Sequence, residues 1–362
     1  MIRVLQIGMG NVAGGLEAFV MNYYRVLVHM DIQFDFVCMY DKIAYEDEIK
    51  RLGGRVYYVP NVKKHYRGYI SGLKKILKKE NYQAVHVNML SAANIVPLRV
   101  AHQAGIKKII AHSHSSSCPG LIRKLMDNVN RPFIGRYATD MAACGELAGR
   151  WLFGEKAYDN GLVAVINNAI AAERFLFSAE DRESLRKELG WENKTVIGHV
   201  GRFDIPKNHD RMIDIIQQLS REKKDVVLCL VGPKEGLYEQ IKGKTEKAGL
   251  EKHVYFAGRQ ENISRYLSAM DVFLFPSRFE GLGIVLIEAQ ASGLPCVTST
   301  AVPYEAAVTK STIFLSLDDT IQKWVDTVCG FETYERVDKT DEIIAAGYDL
   351  AGEKEAYMSI IT

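Results

Sequence analysis

Short runs rich in valine and isoleucine alternate with longer segments of helical periodicity along nearly the whole chain, and near the middle the alternation starts afresh. A run that is apolar at successive positions suits a strand covered on both faces. Strands that alternate with helices build a parallel sheet with helices packed on either side. Candidate strands in the first half span 3–7, 34–39, 55–59, 84–87, 108–112, 140–143 and 163–166; in the second half they span 195–200, 226–231, 254–257, 271–275, 295–298 and 312–315. At 362 residues the chain is longer than one ordinary core organises. The pattern therefore predicts an α/β protein of two doubly wound, Rossmann-like domains, 1–172 and 173–338, with a hinge between about residues 169 and 189. A last amphipathic stretch, 339–362, has no strand after it and is expected to pack back across the first domain. Ligands of such sheets bind beyond the carboxyl ends of the strands, where loops lead into helix N-termini. Two domains whose strand ends face each other would enclose a central cleft.

Charge divides along the same line. Residues 1–170 carry 22 Lys/Arg against 13 Asp/Glu, a surplus of nine positive charges, while the remainder carries 24 against 31, a surplus of seven negative. A basic half suits nucleic acid, an anionic membrane or a phosphorylated substrate, and composition does not choose among them. Within it, Tyr66, Tyr69, Ile70, Leu73, Ile76 and Leu77 recur at helical spacing, with Lys63, Lys64, Arg67, Lys74, Lys75, Lys78 and Lys79 largely elsewhere. That stretch, 63–79, reads either as a helix with its apolar face in the core and solvated lysines outside, or as a peripheral contact with anionic lipid. No apolar run approaches the roughly 20 residues that cross a bilayer, and the chain opens straight into a strand. The six cysteines lie far apart, form no Cys-x-x-Cys and sit mostly in apolar surroundings. A cytoplasmic protein with reduced, buried thiols is expected.

The most informative segment runs from Phe275 to Pro295: a buried strand, the loop Pro276-Ser277-Arg278-Phe279-Glu280-Gly281-Leu282-Gly283, and an apolar run with helical spacing. The unpaired backbone N–H groups of Gly283, Ile284 and Val285 would form a positive pole suited to a pyrophosphate. Glu288, about one turn into the helix, could accept hydrogen bonds from both vicinal hydroxyls of a ribose, and Glu280 would point towards whatever the second phosphate carries. A second signal, His199-Val-Gly-Arg202-Phe-Asp-Ile-Pro-Lys207, follows the first strand of the second half, where a guanidinium and an ammonium five residues apart around a tight turn can bracket a diphosphate.

Together these segments resemble the family 4 glycosyltransferases, the large retaining GT-B group. Its hallmark is two glutamates separated by seven residues within Pro-Ser-x-x-Glu-Gly-x-Gly and Glu-Ala-x-Ala-x-Gly-x-Pro, as Glu280 and Glu288 stand here. The resemblance extends over nearly the whole chain, from the loop Gly14-Gly15-Leu16-Glu17 to the segment after Pro295. It implies that Arg202 and Lys207 neutralise the leaving nucleoside diphosphate. Gly14 and Gly15 would allow close backbone approach to the donor phosphates or the acceptor. The nucleobase would sit at 259–263, near Arg259, Asn262 and Ile263. Ile166-Asn-Asn168-Ala169-Ile170 resembles the family's hinge strand, with Ala169 where glycine is usual. His114 aligns with a histidine that touches the donor sugar or the cleft floor, and His86 is equally well read as a core histidine. His112 and His114, two apart, have no third ligand at metal spacing. Gly8-Met9-Gly10-Asn-Val-Ala13 also fits a dinucleotide fingerprint, but the first acid in the place the fingerprint requires, Asp41, lies about 30 residues beyond Gly10 instead of about 20.

The expected function is a retaining transfer from a nucleoside-diphosphate sugar, UDP-linked by preference, to a glycan or polyprenyl-diphosphate-linked acceptor of cell-surface polysaccharide. Glu280, His114, Arg202 and Lys207 would be the catalytic groups. No cofactor and no metal are expected, since the cations and the helix N-terminus supply positive potential and no Asp-x-Asp stands near the strand-end loops. Nucleic acid is not an expected partner, and the protein would work in the cytoplasm, peripherally at the inner face of the membrane. A small soluble acceptor, or a nucleotide- or carbohydrate-binding protein without turnover, are the alternatives.

Overall fold

The structure is a computed structural model that describes residues 1–118 and 120–362. The thirteen expected strands all form, with ends displaced by at most two residues: β1 Ile2–Ile7, β2 Ile32–Cys38, β3 Val56–Tyr58, β4 Ala84–Met89, β5 Lys108–Ser113, β6 Asp140–Ala143, β7 Val163–Val165, β8 Thr195–Val200, β9 Val226–Val231, β10 Val254–Gly258, β11 Val272–Phe275, β12 Cys296–Ser299 and β13 Thr312–Leu315. They build two sheets, ordered β3-β2-β1-β4-β5-β6-β7 and β10-β9-β8-β11-β12-β13, and every pairing is parallel. The apolar runs explain this arrangement, because all six residues of β4 and all six of β9 are buried, as strands covered on both faces must be.

The chain divides into two compact units, one of residues 1–169 with 349–362 and one of residues 170–348. In the first, Leu5, Val85 and Ile109 from the sheet pack with Leu73, Leu98 and Ile134 from its helices. In the second, one face of the sheet packs Ile197, Leu228 and Leu274 against Met212, Ile216 and Trp324, and the other packs Val196, Cys229 and Phe273 against Leu267, Leu286 and Ala289.

The last 24 residues do not act as one element, because Gly347 at φ 76° ends the helix Thr340–Ala345. That helix stays in the second unit, where Ile343 and Tyr348 pack on Ile170, Ala172, Ile287 and Ala291. Asp349 then caps a new helix, Leu350–Ile361, by accepting from the Ala351 N–H at 2.8 Å, and this helix belongs to the first unit with Leu350, Tyr357, Ile360 and Ile361 buried.

None of the six cysteines is in a disulfide; Cys38, Cys229 and Cys296 are buried, whereas Cys118, Cys144 and Cys329 are only half-buried. No helix among the described residues is long and apolar enough to cross a membrane.

Candidate active site

In the second sheet the strand order turns back between β8 and β11, the place where a doubly wound sheet opens a crevice at its carboxyl edge. The loops leaving these two strands are stitched together. The Arg278 N–H donates to the Pro206 carbonyl at 2.7 Å, Asn208 Nδ2 to the Pro276 carbonyl at 3.0 Å, and Arg278 Nη2 to Asn208 Oδ1 at 3.0 Å. Asn208 holds φ 57°, a left-handed conformation that asparagine tolerates, and so turns the chain from the Ile205–Lys207 turn into the helix His209–Glu222. The consequence is that Lys207 and Glu280, 73 positions apart, form an ion pair of 2.7 Å with both side chains largely out of solvent. The Lys207 ammonium also lies 4.8 Å from the centre of the Phe275 ring. Arg202 differs: its side chain is 56% exposed and pairs with Asp204 at 3.3 Å. Each of these two cations therefore has a carboxylate beside it, and an arriving diphosphate would compete with Glu280 for Lys207.

The helix Ile284–Ala291 starts in the same place. Gly283, at φ 86°, precedes it, and no side chain caps it, so the first N–H groups of the helix, at Ile284 and Val285, keep no intrahelical partner. A Cβ on Gly283 would lie 3.1 Å from Phe275 Cε1, so the glycine also lets the helix begin close against β11. Gly281 is exposed at the mouth of the loop. Glu288 lies half-buried one turn in, and burial raises its carboxyl to about 7 against the opposing pull of Arg174. Among the described residues its carboxylate takes no hydrogen bond from another side chain or from the backbone, so its acceptor capacity is open to a ligand.

The loops after β8, β9 and β10 form one rim, joined by Gly201 N–H to Val231 O at 2.9 Å and Gly232 N–H to Gly258 O at 3.0 Å. Arg259 is exposed at the end of that rim. Asn262 spends its side chain on the protein, since Oδ1 accepts from the Arg265 N–H at 3.3 Å and from the Ser264 hydroxyl at 2.7 Å to start the helix Ile263–Ala269. Ile263 packs half-buried on the core beneath. Of Arg259, Asn262 and Ile263, the Arg259 side chain and the backbone thus remain for a ligand, and no contact among the described residues brings these three side chains to Lys207 or Glu280.

Sequence reasoning missed the floor under Lys207. His199 is fully buried, with Nδ1 3.0 Å from the Leu274 carbonyl, and His209 stacks on Phe203 at 4.4 Å between ring centres. Burial, followed by the neighbouring Lys207 charge, lowers His209 to about 4; burial, His209 and Lys207 hold His199 well below the ordinary histidine range. Both rings are therefore neutral near pH 7, and the charge above them is that of Lys207.

In the first sheet the order turns back between β1 and β4. Gly14 is the N-cap of the helix Gly15–Leu27, and Glu17 in its first turn reaches back to accept from the Gly10 N–H at 2.8 Å, so this loop already holds a carboxylate against its amides. A single directional hydrogen-bond chain crosses the carboxyl edge of this sheet. Asn88 Nδ2 donates to Gln6 Oε1 (3.0 Å) and Gln6 Nε2 to the Tyr357 hydroxyl (3.0 Å), which makes Tyr357 the donor to His86 Nδ1 (2.8 Å) and His86 Nε2 the donor to His112 Nδ1 (2.9 Å). His114 Nε2 completes the chain by donating to Asn88 Oδ1 at 2.9 Å. It ends at His112 Nε2, a buried donor with no partner among the described residues. Burial lowers His86 and His114 to about 3 and His112 well below its ordinary range, so all three imidazoles are neutral near pH 7. His86 is a hydrogen-bonded core residue here. Among the described residues no three His, Cys, Asp or Glu side chains gather as a metal-holding group.

The segment 166–170 is fastened by Tyr23, whose hydroxyl donates to the Asn167 carbonyl at 2.8 Å, and by Asn22 Nδ2, which donates to the Ala169 carbonyl at 3.1 Å. Ala169 is buried and is not among the residues with positive φ, so alanine in place of glycine requires no left-handed backbone.

The Glycosyl transferases group 1 model matches residues 181–328, and the Glycosyltransferase Family 4 model matches residues 13–174. A putative glycosyltransferase, EpsF of Bacillus subtilis, is 33% identical over 90% of this chain and 86% of its own length. The Escherichia coli UDP-Gal:alpha-D-GlcNAc-diphosphoundecaprenol alpha-1,3-galactosyltransferase is 27% identical over 63% of this chain and 60% of its own. The crystal structure of HepE (Alr3699) from Anabaena in complex with UDP-glucose superposes with a TM-score of 0.80 at 18% identity, covering 99% of each chain. With two doubly wound sheets of the GT-B kind and family matches to both halves, the chain belongs to the family 4 glycosyltransferases and is a sugar-transferring enzyme.

Proposed function

We propose that this glycosyltransferase moves a sugar, with retention of anomeric configuration and without a metal, from a UDP-sugar to a glycan or polyprenyl-diphosphate-linked acceptor during cell-surface polysaccharide synthesis. The observation that carries the donor half is the meeting of Lys207, Glu280 and the uncapped start of the Ile284–Ala291 helix at the turning point of the second sheet. A departing diphosphate needs positive potential as the anomeric carbon gains oxocarbenium character, and Lys207, Arg202 and the amides of Gly283, Ile284 and Val285 would supply it. Glu288 accepts from the ribose hydroxyls; Arg259 and the backbone near Asn262 and Ile263 face the base; Gly14 and Gly15 border the donor or the acceptor; Glu280 and His114 contact the sugar. The acceptor hydroxyl attacks on the face the diphosphate leaves, a phosphate oxygen takes its proton, and the C–O bond to the diphosphate breaks as the new glycosidic bond forms. No cofactor enters the reaction.

The acceptor is proposed on two supports: the positive surplus of residues 1–170 and the diphosphoundecaprenol-linked acceptor of the Escherichia coli relative. Work on such an acceptor would place the protein in the cytoplasm, against the inner face of the membrane. The 63–79 stretch would contribute charge only, since Tyr69, Leu73, Ile76 and Leu77 are buried while Lys74, Lys75, Lys78 and Lys79 are exposed. A thermal-shift panel of nucleotide sugars, followed by turnover with the stabilising donor in excess chelator and determination of the product anomer, tests the reading. UDP-sugars are expected to stabilise most and activity to survive chelation; loss of turnover restored by Mg²⁺ or Mn²⁺ would refute the metal-free part.

A further inference from the structure

The helix Leu121–Asn130 in the first unit is built inside out. Its polar residues hold it to the protein. Asp127 is buried and accepts from the Ala92 N–H at 2.6 Å, Asn130 Nδ2 donates to the Ala92 carbonyl at 3.0 Å, and Arg123 Nε donates to Ser91 Oγ at 3.2 Å. Arg131, just past its end, pairs with Asp127 and lies 4.7 Å over the Trp151 ring. Its large apolar side chains face outward instead, with Leu121 89% exposed, Ile122 79%, Leu125 65%, Val129 58% and Met126 48%. Single exposed hydrophobics are ordinary on a surface, but five on one helix face are not.

Charge identifies what covers that face. Between Lys107 and Arg136 the chain carries six basic residues and one acid, and the acid is the buried, paired Asp127. Arg123, Lys124 and Arg136 are exposed around the apolar residues. A two-fold contact of this face with the same face of a second copy would set these cations against their like. An anionic bilayer surface takes up apolar side chains at the headgroup boundary and attracts the cations around them, by roughly fivefold in partitioning for each cation near the surface.

We propose that the Leu121–Asn130 helix lies in the interface of an anionic membrane, with Leu121, Ile122, Leu125, Met126 and Val129 inserted. The helix begins seven residues beyond His114, at the end of β5, so the docked surface is one short loop from the carboxyl edge of the first sheet. Delivery of a lipid-linked acceptor to that edge rests on the function proposed above; membrane docking does not.

Co-sedimentation with vesicles of phosphatidylcholine and phosphatidylglycerol, without donor or acceptor, separates the two. The intact chain is expected to bind these vesicles and to bind pure phosphatidylcholine several-fold more weakly. Combined Leu121→Ser, Ile122→Ser, Leu125→Ser and Val129→Ser substitutions should lower binding by at least about tenfold. Because the side chains are exposed, melting temperature and the thermal shift with UDP should not move. Equal vesicle binding by the variant and the intact chain would overturn the proposal. So would self-association, seen by sedimentation velocity without lipid, that the substitutions abolish while vesicle binding is absent from both.

Discussion

Replacing Glu280 by glutamine removes one negative charge 2.7 Å from the Lys207 ammonium while keeping the side chain's size. In the free protein this carboxylate holds Lys207; in the proposed reaction it would face the sugar and the departing diphosphate, where charge changes most. Interactions equal in the ground and transition states act on KM, whereas those stronger in the transition state act on kcat. A charged hydrogen bond contributes about 1.5–3 kcal/mol, so the expected loss in kcat is roughly 10- to 150-fold at about 1.36 kcal/mol per decade. UDP affinity should move the other way or not at all, staying within about tenfold of the wild type on the tight side, because Lys207 is released to the diphosphate and a neighbouring like charge is gone. Calorimetric titration with UDP followed by kinetics at saturating donor reads both quantities. Loss of UDP binding in Glu280→Gln, or an unchanged kcat, would refute this division of labour.

Four further variants test the other parts. Glu288→Ala should weaken UDP and donor binding alike, by roughly 10- to 150-fold in titration, since the ribose contacts proposed for it would not change during bond cleavage. Because burial raises the Glu288 carboxyl to about 7, ionising it costs the folded state free energy, and the cost grows from about pH 4.5 to pH 7. Denaturant unfolding should therefore show the wild type losing on the order of 1–3 kcal/mol relative to Glu288→Gln between pH 5 and pH 8, and a difference independent of pH would contradict it. Tyr357→Phe removes the link between Gln6 and His86 and should cost about 1–3 kcal/mol in the same measurement; a neutral effect would show the hydrogen-bond chain to be energetically idle. Replacing Lys74, Lys75, Lys78 and Lys79 by glutamine should weaken binding to anionic vesicles several-fold and leave melting and UDP affinity unchanged, whereas unchanged vesicle binding would leave those lysines as solvated surface.

The sheets were legible because their cause is local. β9 is apolar at all six positions and β4 at four of six, with His86 and Asn88 between, a pattern that suits a strand covered on both faces at that length. The Gly283 start of the Ile284–Ala291 helix was legible for the same reason, since strand, glycine loop and helix follow one another within a few residues. The splitting of 339–362 was less so: Gly347 marks a break, but only packing on Ile170 and Ala172 assigns Tyr348 to one unit while Tyr357 stacks on Tyr23 in the other.

Everything that required distant residues to meet was decided by the tertiary structure. Lys207 reaches Glu280 because Asn208 and Arg278 tie two loops together, and no local pattern announces a partner 73 residues away. Tyr357 reaches His86 across 271 residues, which is why a core hydrogen-bond chain looked from the sequence like isolated strand-end histidines. The Leu121–Asn130 helix states the limit most plainly. Its spacing of apolar and polar residues is set by the sequence alone, but periodicity has no sign: it separates two faces of a helix without saying which one the protein keeps, and here the polar face is inside because Ala92 and Ser91 stand ready to bond it.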